Sequence, residues 1–226
     1  MSSANKGHSS HVSNSADVET VAYYSNNAAI VAKKYEEALF EDIHHEEIQE
    51  FVFRDSTIQS IKLIDVGCGS GRDLSHWYKL NVDGYGVDAS KNMIEAAVSA
   101  HPELKGRIFF DELPFLNNTP SGFYHVVTCF AVLMHLNFNS IKESIKAFKR
   151  ILKPQGKLVI SIPLRGPEID ADSRSCKDGR LFTLIPIEHL NGLLTDYGFD
   201  ICKTYSTQDS LGRSERSWIT LLCRLR

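Results

Sequence analysis

Several things this sequence lacks narrow its identity before any motif does. Its five cysteines (Cys68, Cys129, Cys176, Cys202 and Cys223) are odd in number and form no Cys-x-x-Cys pair. That fits reduced thiols in a cytoplasmic enzyme better than a disulfide framework or a zinc site. No apolar run approaches the roughly 20 residues a membrane helix needs. Residues 1–17 are rich in Ser, Asn and His without an apolar stretch, so they read as a disordered tail and not as a secretory signal. Positive charge is not in excess: the formal net charge is −3, which gives no blanket attraction to nucleic acid. What is present is ordinary for a globular domain, with 226 residues, 42% hydrophobic and 23% charged. That length suffices to bury one full α/β core.

Charge is unevenly spread. Acids crowd residues 36–55, a segment expected to fold over the mouth of a site. Lys142, Lys146, Lys149, Arg150, Lys153 and Lys157 crowd a later one. Ile141, Ile145, Phe148 and Leu152 recur there at helical spacing, so the basic residues read as a solvated helix face.

Residues 18–37 and 44–53 read as helices. From residue 61 the pattern changes to alternation. Short apolar runs at 61–66, 84–87, 107–110, 125–130 and 157–162 read as buried strands, with helices at 72–80, 91–100 and 140–152 between them. Lys153-Pro154-Gln155-Gly156 ends the last of these as a turn. A polar loop follows at 166–180, then a helix at 187–196 and two strands at 199–205 and 217–224. The absence of a helix between those two predicts an antiparallel hairpin. The expectation is a mostly parallel α/β sheet covered on both faces, with a helical cap at 18–58 and a core at 59–226.

The chemistry is carried by Asp65-Val66-Gly67-Cys68-Gly69-Ser70-Gly71-Arg72, a strand running through a glycine-rich turn into a helix. Glycine there permits positive φ and close approach of a ligand to the backbone. The spacing G-x-G-x-G is neither the dinucleotide G-x-G-x-x-G nor a P-loop. The next strand ends in Gly86-Val87-Asp88, and an acid at that strand end suits the hydroxyls of a ribose. Together the two features favour an adenosine-type cofactor.

These stretches, with Ala89-Ser90, Met93, Phe110-Asp111-Glu112-Leu113-Pro114, Phe130-Ala131-Val132-Leu133-Met134-His135-Leu136 and Leu152-Lys153-Pro154-Gln155-Gly156-Lys157-Leu158, resemble the successive motifs of the class I S-adenosylmethionine-dependent methyltransferases. Lys34-Tyr35-Glu36, residues 40–44 and Gly69-Ser70-Gly71-Arg72-Asp73 also resemble a bacterial subgroup of these enzymes. The resemblance runs from about Tyr24 to the C-terminus and departs at Gln155, where Gly is usual, and at Ser25-Asn26-Asn27, where an Asp is common.

The resemblance implies a Rossmann-like fold with a seven-stranded sheet, S-adenosylmethionine as cofactor and S-adenosylhomocysteine as product. It implies that Asp65, Gly67, Gly69 and Gly71 hold the methionine end and that Asp88 binds the ribose. Ala89 and Met93 would line the adenine beside Asp111, Glu112 and Leu113. Phe130-Ala131 would pass beneath the cofactor, and Tyr24 would cap its carboxylate or the transfer channel.

His135, beyond the fourth strand, and Arg165, after the fifth, are the candidate catalytic residues: the one a base, the other a clamp for an anionic group. Glu41 and His44 are candidate lid residues. His44-His45-Glu46-Glu47 is not expected to hold a metal, because neighbouring helix residues diverge by about 100°. The acceptor expected is a small metabolite or natural product. RNA methylation, with Arg174, Lys177 and Arg180 adding charge, and a cofactor-binding protein without transfer are the alternatives. The missing Asn/Asp-Pro-Pro-Tyr motif speaks against methylation of DNA or protein amino groups.

Overall fold

The computed structural model describes residues 16–44, 46–54, 60–165, 178–212 and 216–226, with the side chain of Arg165 left aside. The expected tail at 1–17 lies outside them up to residue 15, as do His45, Asp55, Arg174 and Lys177. Asp17 is not tail. Its carboxylate accepts from Thr20 N at 2.9 Å and caps the first helix, as an Asp at that position should.

Four helices come first: α1 (Val18–Asn26), α2 (Ala28–Tyr35), α3 (Phe40–Ile43) and α4 (Glu46–Phe53). The helix expected at 18–37 is broken in two at Asn27, whose φ of −112° and ψ of 14° leave the helical region; the one expected at 44–53 is α4, and α3 falls outside both expectations. The alternation then follows as β1 (Lys62–Val66), α5 (Arg72–Lys79), β2 (Asp83–Asp88), α6 (Lys91–Ala100), β3 (Ile108–Phe110), β4 (Tyr124–Phe130), α7 (Phe138–Ile151) and β5 (Leu152–Arg165). The chain closes with α8 (Ile187–Asp196), β6 (Phe199–Gln208) and β7 (Ser217–Leu225). Among the described residues, no helix is long and apolar enough to cross a membrane.

The seven strands lie in the order β3-β2-β1-β4-β5-β7-β6. The first five are parallel to one another, and β7 is antiparallel to both β5 and β6. The chain winds outward from β1 to β3 and then returns to β4. A crevice therefore opens at the carboxyl ends of β1 and β4, where ligands bind in such sheets.

Alternation along each strand fills both faces. Ile64, Val66, Val127 and Cys129 pack under α7 and α8, while Leu63, Val126 and Val159 pack under Trp77, Ile48 and Phe51. Between the paired residues Leu152 and Lys157, the four residues 153–156 bulge from the ladder beside a single residue of β4. Gln155 takes φ of 62° there, a cost that glycine would not carry.

Lys157 departs from the solvated basic face expected of it. It lies on β5, is 8% exposed, and its ammonium donates to the carbonyls of Val52 and Arg54 at the end of α4. The cause is period. The lysines at 142–149 repeat on a helix, whereas Lys157 stands beyond the turn, on a strand covered by the cap. Replacing it with Met keeps an apolar stem over Phe51 but removes the donor to the buried carbonyls. The expected cost is about 1–3 kcal/mol. A thermal melt should show the midpoint falling by roughly 2–12 °C, and an unchanged midpoint would show that the cap does not hang on this lysine.

Candidate active site

β1 ends at Val66, and the chain turns back so that Gly67 N and Cys68 N both donate to Val87 O on β2, at 2.8 and 3.1 Å. Gly67, Gly69 and Gly71 take φ of 74°, 54° and 80°, but for different reasons. A Cβ at Gly67 would stand 2.4 Å from Val132 Cγ2, and one at Gly71 would stand 3.0 Å from Leu104 Cδ1. Those two glycines let the turn pack on protein. A Cβ at Gly69 would meet nothing nearer than 3.8 Å, with Tyr35 and Met93 beyond. Gly69 opens onto the crevice.

The crevice is lined by the turn, by Asp88, Ala89 and Met93 after β2, by Asp111, Glu112 and Leu113 after β3, and by Phe130, Ala131 and His135 after β4; Tyr24 lines it from the cap. The expected site residues are thus gathered in one place, with three exceptions. Gly71 faces Leu104 and Ala97 and not the crevice. Asp65 stands directly behind the turn, on β1. Arg165 ends β5, paired in register with Ser217, and its side chain lies outside the described ones.

Burying carboxylates is costly unless donors compensate, and the four acids here are compensated unequally. Asp111 accepts from Glu112 N, Asn118 N and the Thr119 hydroxyl. Asp88 accepts from Gly69 N at 3.0 Å and Ser90 N at 2.8 Å; burial still pushes its carboxyl up against these two bonds. Asp73 is buried too, yet His44 Nε2 at 3.0 Å and Arg72 Nε at 2.7 Å outweigh the burial and hold it well below the carboxylate range. Asp65 has one hydrogen bond among the described residues, from the Thr128 hydroxyl at 2.6 Å. Burial, aided by the nearby charge of Asp73, pushes its carboxyl up to about 7.

The cap is fastened to the start of α5 by side chains from both. Glu36 accepts from the Ser70 hydroxyl at 2.6 Å and from His101 Nε2 at 3.1 Å, and Arg72 donates to Tyr35 O. Glu41 meets His76 at 3.2 Å, and the His76 ring stacks on Phe40 at 3.9 Å between centroids. His44, expected in a lid, is buried on Asp73 with its ring 4.1 Å from that of Phe130. Farther along, the Ser25 hydroxyl reaches that of Ser90 at 2.8 Å, tying α1 to the residue that caps α6. None of Glu36, Ser70, His101 and Asp73 could be paired from sequence, because their spacing encodes no contact.

At the far side Tyr24, His135 and Arg180 form a chain. His135 Nδ1 lies 2.7 Å from Leu181 O, and a carbonyl only accepts, so Nδ1 carries the proton. Nε2 is then the acceptor for the Tyr24 hydroxyl at 3.0 Å. That hydroxyl in turn accepts from Arg180 Nη1 at 3.3 Å, while Asp178 holds the same guanidinium. Burial lowers His135 to about 4 and raises Tyr24 well above its ordinary value, so both are neutral near pH 7. The roof is completed by the β6–β7 hairpin, whose Ser210 hydroxyl donates to Asp42 O of α3 at 2.6 Å.

Gly67 and Gly69 should separate on mutation. Gly67→Ala and Gly69→Ala share the cost of positive φ, but only Gly67→Ala drives a methyl into Val132, adding about 1–3 kcal/mol. Denaturant unfolding should rank Gly67→Ala well below Gly69→Ala in stability. Gly69→Val should remain folded while losing S-adenosylmethionine affinity by calorimetry; an unfolded Gly69→Val would make this glycine structural as well.

The chain is similar to known proteins in sequence and in fold. A family model described as a methyltransferase domain matches residues 33–204. The mitochondrial ubiquinone biosynthesis O-methyltransferase of Schizosaccharomyces pombe is 31% identical over 114 residues, 49% of this chain and 41% of that protein. Phosphoethanolamine N-methyltransferase 1 of Arabidopsis thaliana is 27% identical over 157 residues, 68% of this chain and 32% of that protein. The chain thus spans well under half the length of these curated relatives. Among solved structures, a Burkholderia thailandensis 1,6-didemethyltoxoflavin-N1-methyltransferase with bound 1,6-didemethyltoxoflavin and S-adenosylhomocysteine shares the fold. Its TM-score is 0.69 at 13% identity, covering 92% of this chain and 87% of that one. With three quarters of its length matched by that family model, on a sheet of this order and behind this glycine turn, the chain belongs to the S-adenosylmethionine-dependent methyltransferases of the Rossmann-like class.

Proposed function

We propose that the enzyme methylates a small-molecule acceptor inside the roofed crevice. The observation that supports this is the contact of the hairpin with the cap, Ser210 to Asp42, which brings residues 207–211 to the lining of the same crevice as the glycine turn. The relatives' own names agree in kind, since phosphoethanolamine and 1,6-didemethyltoxoflavin are both small molecules.

The lining fits the cofactor. Gly69 leaves open space against the backbone, Asp88 offers a carboxylate suited to ribose hydroxyls, and Met93 with Leu113 offers an apolar seat for adenine, with Ala89, Asp111 and Glu112 beside it. Asp65 carries an unmet electrostatic demand that an ammonium group would satisfy. When bound, the sulfonium supplies an electrophilic methyl group, and the protein's task is position.

Tyr24 and His135 handle the acceptor's proton. An acceptor O–H or N–H reaching the Tyr24 oxygen can pass its proton there while the Tyr24 proton moves to His135 Nε2. A histidine held near pKa 4 is a weak base in the resting enzyme. It suffices late in transfer, because an oxygen or nitrogen gaining a methyl group becomes strongly acidic.

Two experiments test the scheme. If Asp65 binds the ammonium group, it must be ionised to do so. Cofactor affinity, measured by calorimetry, should then fall as pH drops through about 7. Asp73, Arg72 and Asp88 are the charged groups acting on it. Asp65→Asn should weaken binding roughly 10- to 150-fold, as loss of a charged hydrogen bond of about 1.5–3 kcal/mol, and flatten the pH dependence. Equal affinity in the variant would remove Asp65 from the site. Separately, S-adenosylhomocysteine formation should be detected across a panel of small phenols, amines and acids but not with bulk tRNA. On the accepted compound, His135→Asn should lower kcat by about 10²–10⁴ with cofactor affinity retained. Turnover with tRNA alone would overturn the small-molecule reading.

A further inference from the structure

The segment between β3 and β4 contains no strand or helix of its own, so its carbonyls must find partners outside a ladder. Its inner end, Asp111, Glu112 and Leu113, lines the crevice. Its outer end is gripped by one side chain of α7. Arg150, expected on the solvated basic face of that helix, donates through Nη1 to Thr119 O and to the Ser121 hydroxyl, each at 2.9 Å. Through Nη2 it donates to Phe115 O at 3.1 Å and to Leu116 O at 2.7 Å. Every Nη proton is thereby used on residues 115–121. Arg150 itself does not line the crevice.

The grip reaches the crevice by two paths, each one hydrogen bond long. Thr119 gives its carbonyl to Arg150, and its hydroxyl donates to Asp111 Oδ2 at 2.7 Å. Leu116 gives its carbonyl to Arg150, and its N–H donates to Glu112 O at 2.9 Å. Leu116 is also fully buried with φ of 51°, a left-handed conformation that leucine keeps only where its surroundings fix it. Asp111 closes the arrangement by accepting from Glu112 N on Oδ1 and from Asn118 N on Oδ2. With the Thr119 hydroxyl, these fill three of the roughly four acceptor positions of a carboxylate and leave one on Oδ1. The support behind the grip is firm, since Ile141, Ile145, Phe148 and Ile151 seat α7 in the core, all fully buried.

Resting on the reading of residues 111–113 as the seat of the cofactor's adenine, we propose that Arg150 is a positioning residue for selection of the base. It fixes residues 115–121 so that Asp111, Glu112 and Leu113 present one pattern of donors and acceptors. Adenine offers an amino donor beside a ring-nitrogen acceptor. Hypoxanthine offers a carbonyl acceptor beside a ring N–H, the reverse at both positions. A wall fixed in one pattern separates the two bases, because the wrong one leaves buried groups unpaired. A wall free to shift re-pairs them and does not.

The test uses the full chain and compares, by calorimetry, S-adenosylhomocysteine with S-inosylhomocysteine, which differ only in the base. Wild type should prefer the adenine compound by at least about tenfold, the equivalent of one well-made hydrogen bond. Arg150→Met should weaken S-adenosylhomocysteine and bring the two affinities within about threefold of each other. Arg150→Lys, which keeps the charge without the fork of donors, should fall between. Lys142→Met, at an exposed position of the same helix, should match wild type with both compounds. Should Arg150→Met not fold, Arg150→Lys carries the comparison. An equal loss of affinity for both compounds in the Arg150 variants would make the arginine a structural brace alone and overturn the assignment. Variants indistinguishable from wild type would overturn it as well. Wild-type protein that binds both compounds equally would instead overturn the adenine seat at residues 111–113, and base selection through Arg150 with it.

Discussion

The structure around the crevice depends on how four carboxylates are accommodated within one low-dielectric neighbourhood. Asp65, Asp73 and Asp111 are buried and Asp88 is half-buried, and like charges so placed cannot all ionise without compensation. The chain compensates three of them internally. Asp111 folds residues 112–119 around itself, Asp88 straps the glycine turn to the entrance of α6, and Asp73 draws Arg72 and His44 onto the start of α5. Each of those acids shapes the wall it belongs to. Asp65 receives one side-chain hydrogen bond among the described residues, from a threonine hydroxyl, and stands behind the turn. A buried acid held near pKa 7 suits the proposed partner, the ammonium group of methionine.

The same compensation explains why the cap is part of the site. His44 comes from the cap to neutralise Asp73, and Glu36 goes from the cap to Ser70 within the turn. The backbone that approaches the ligand is thus held partly by residues 35–44. A cap that lifts away must expose Asp73 without His44 and leave Glu36 without His101. Opening therefore carries an electrostatic cost beyond lost apolar packing, which favours the closed arrangement once the crevice is filled.

Much of this fold was legible in the sequence because it depends on local period. Helices at 91–100 and 187–196 match in the structure to the residue, and the five parallel strands and the final hairpin match within a few residues. The glycine turn and Asp88 read well because their chemistry is written in spacing. What could not be read depends on contacts between distant segments. The break at Asn27 answers to docking of α1 and α2 on α6, where Ser25 meets Ser90. Lys157 looks solvated until α4 is known to cover it. Arg216 and Trp218 enter the site only because the hairpin folds back over the turn, and nothing around either residue encodes that return.

The placement of these four carboxylates bears on the proposed reaction. Methyl transfer consumes a positive charge on the donor, so acids close to the sulfonium would stabilise the reactant more than the transition state and slow the step. The acids here stand on the β1–β3 side, suited to the ammonium, ribose and adenine, which keep their charge state throughout. In the proposed scheme the groups facing the acceptor, Tyr24 and His135, are neutral and already hydrogen-bonded in the direction in which a proton would move. Arg180 donates to Tyr24 and so favours any phenolate that forms there. His135 gives Tyr24 a destination for its proton, and the Leu181 carbonyl fixes the tautomer that makes this possible. On that proposal a neutral relay would not compete with the acceptor for the methyl group, because its one basic lone pair, on Nε2, is covered by the tyrosine until the acceptor's own proton arrives.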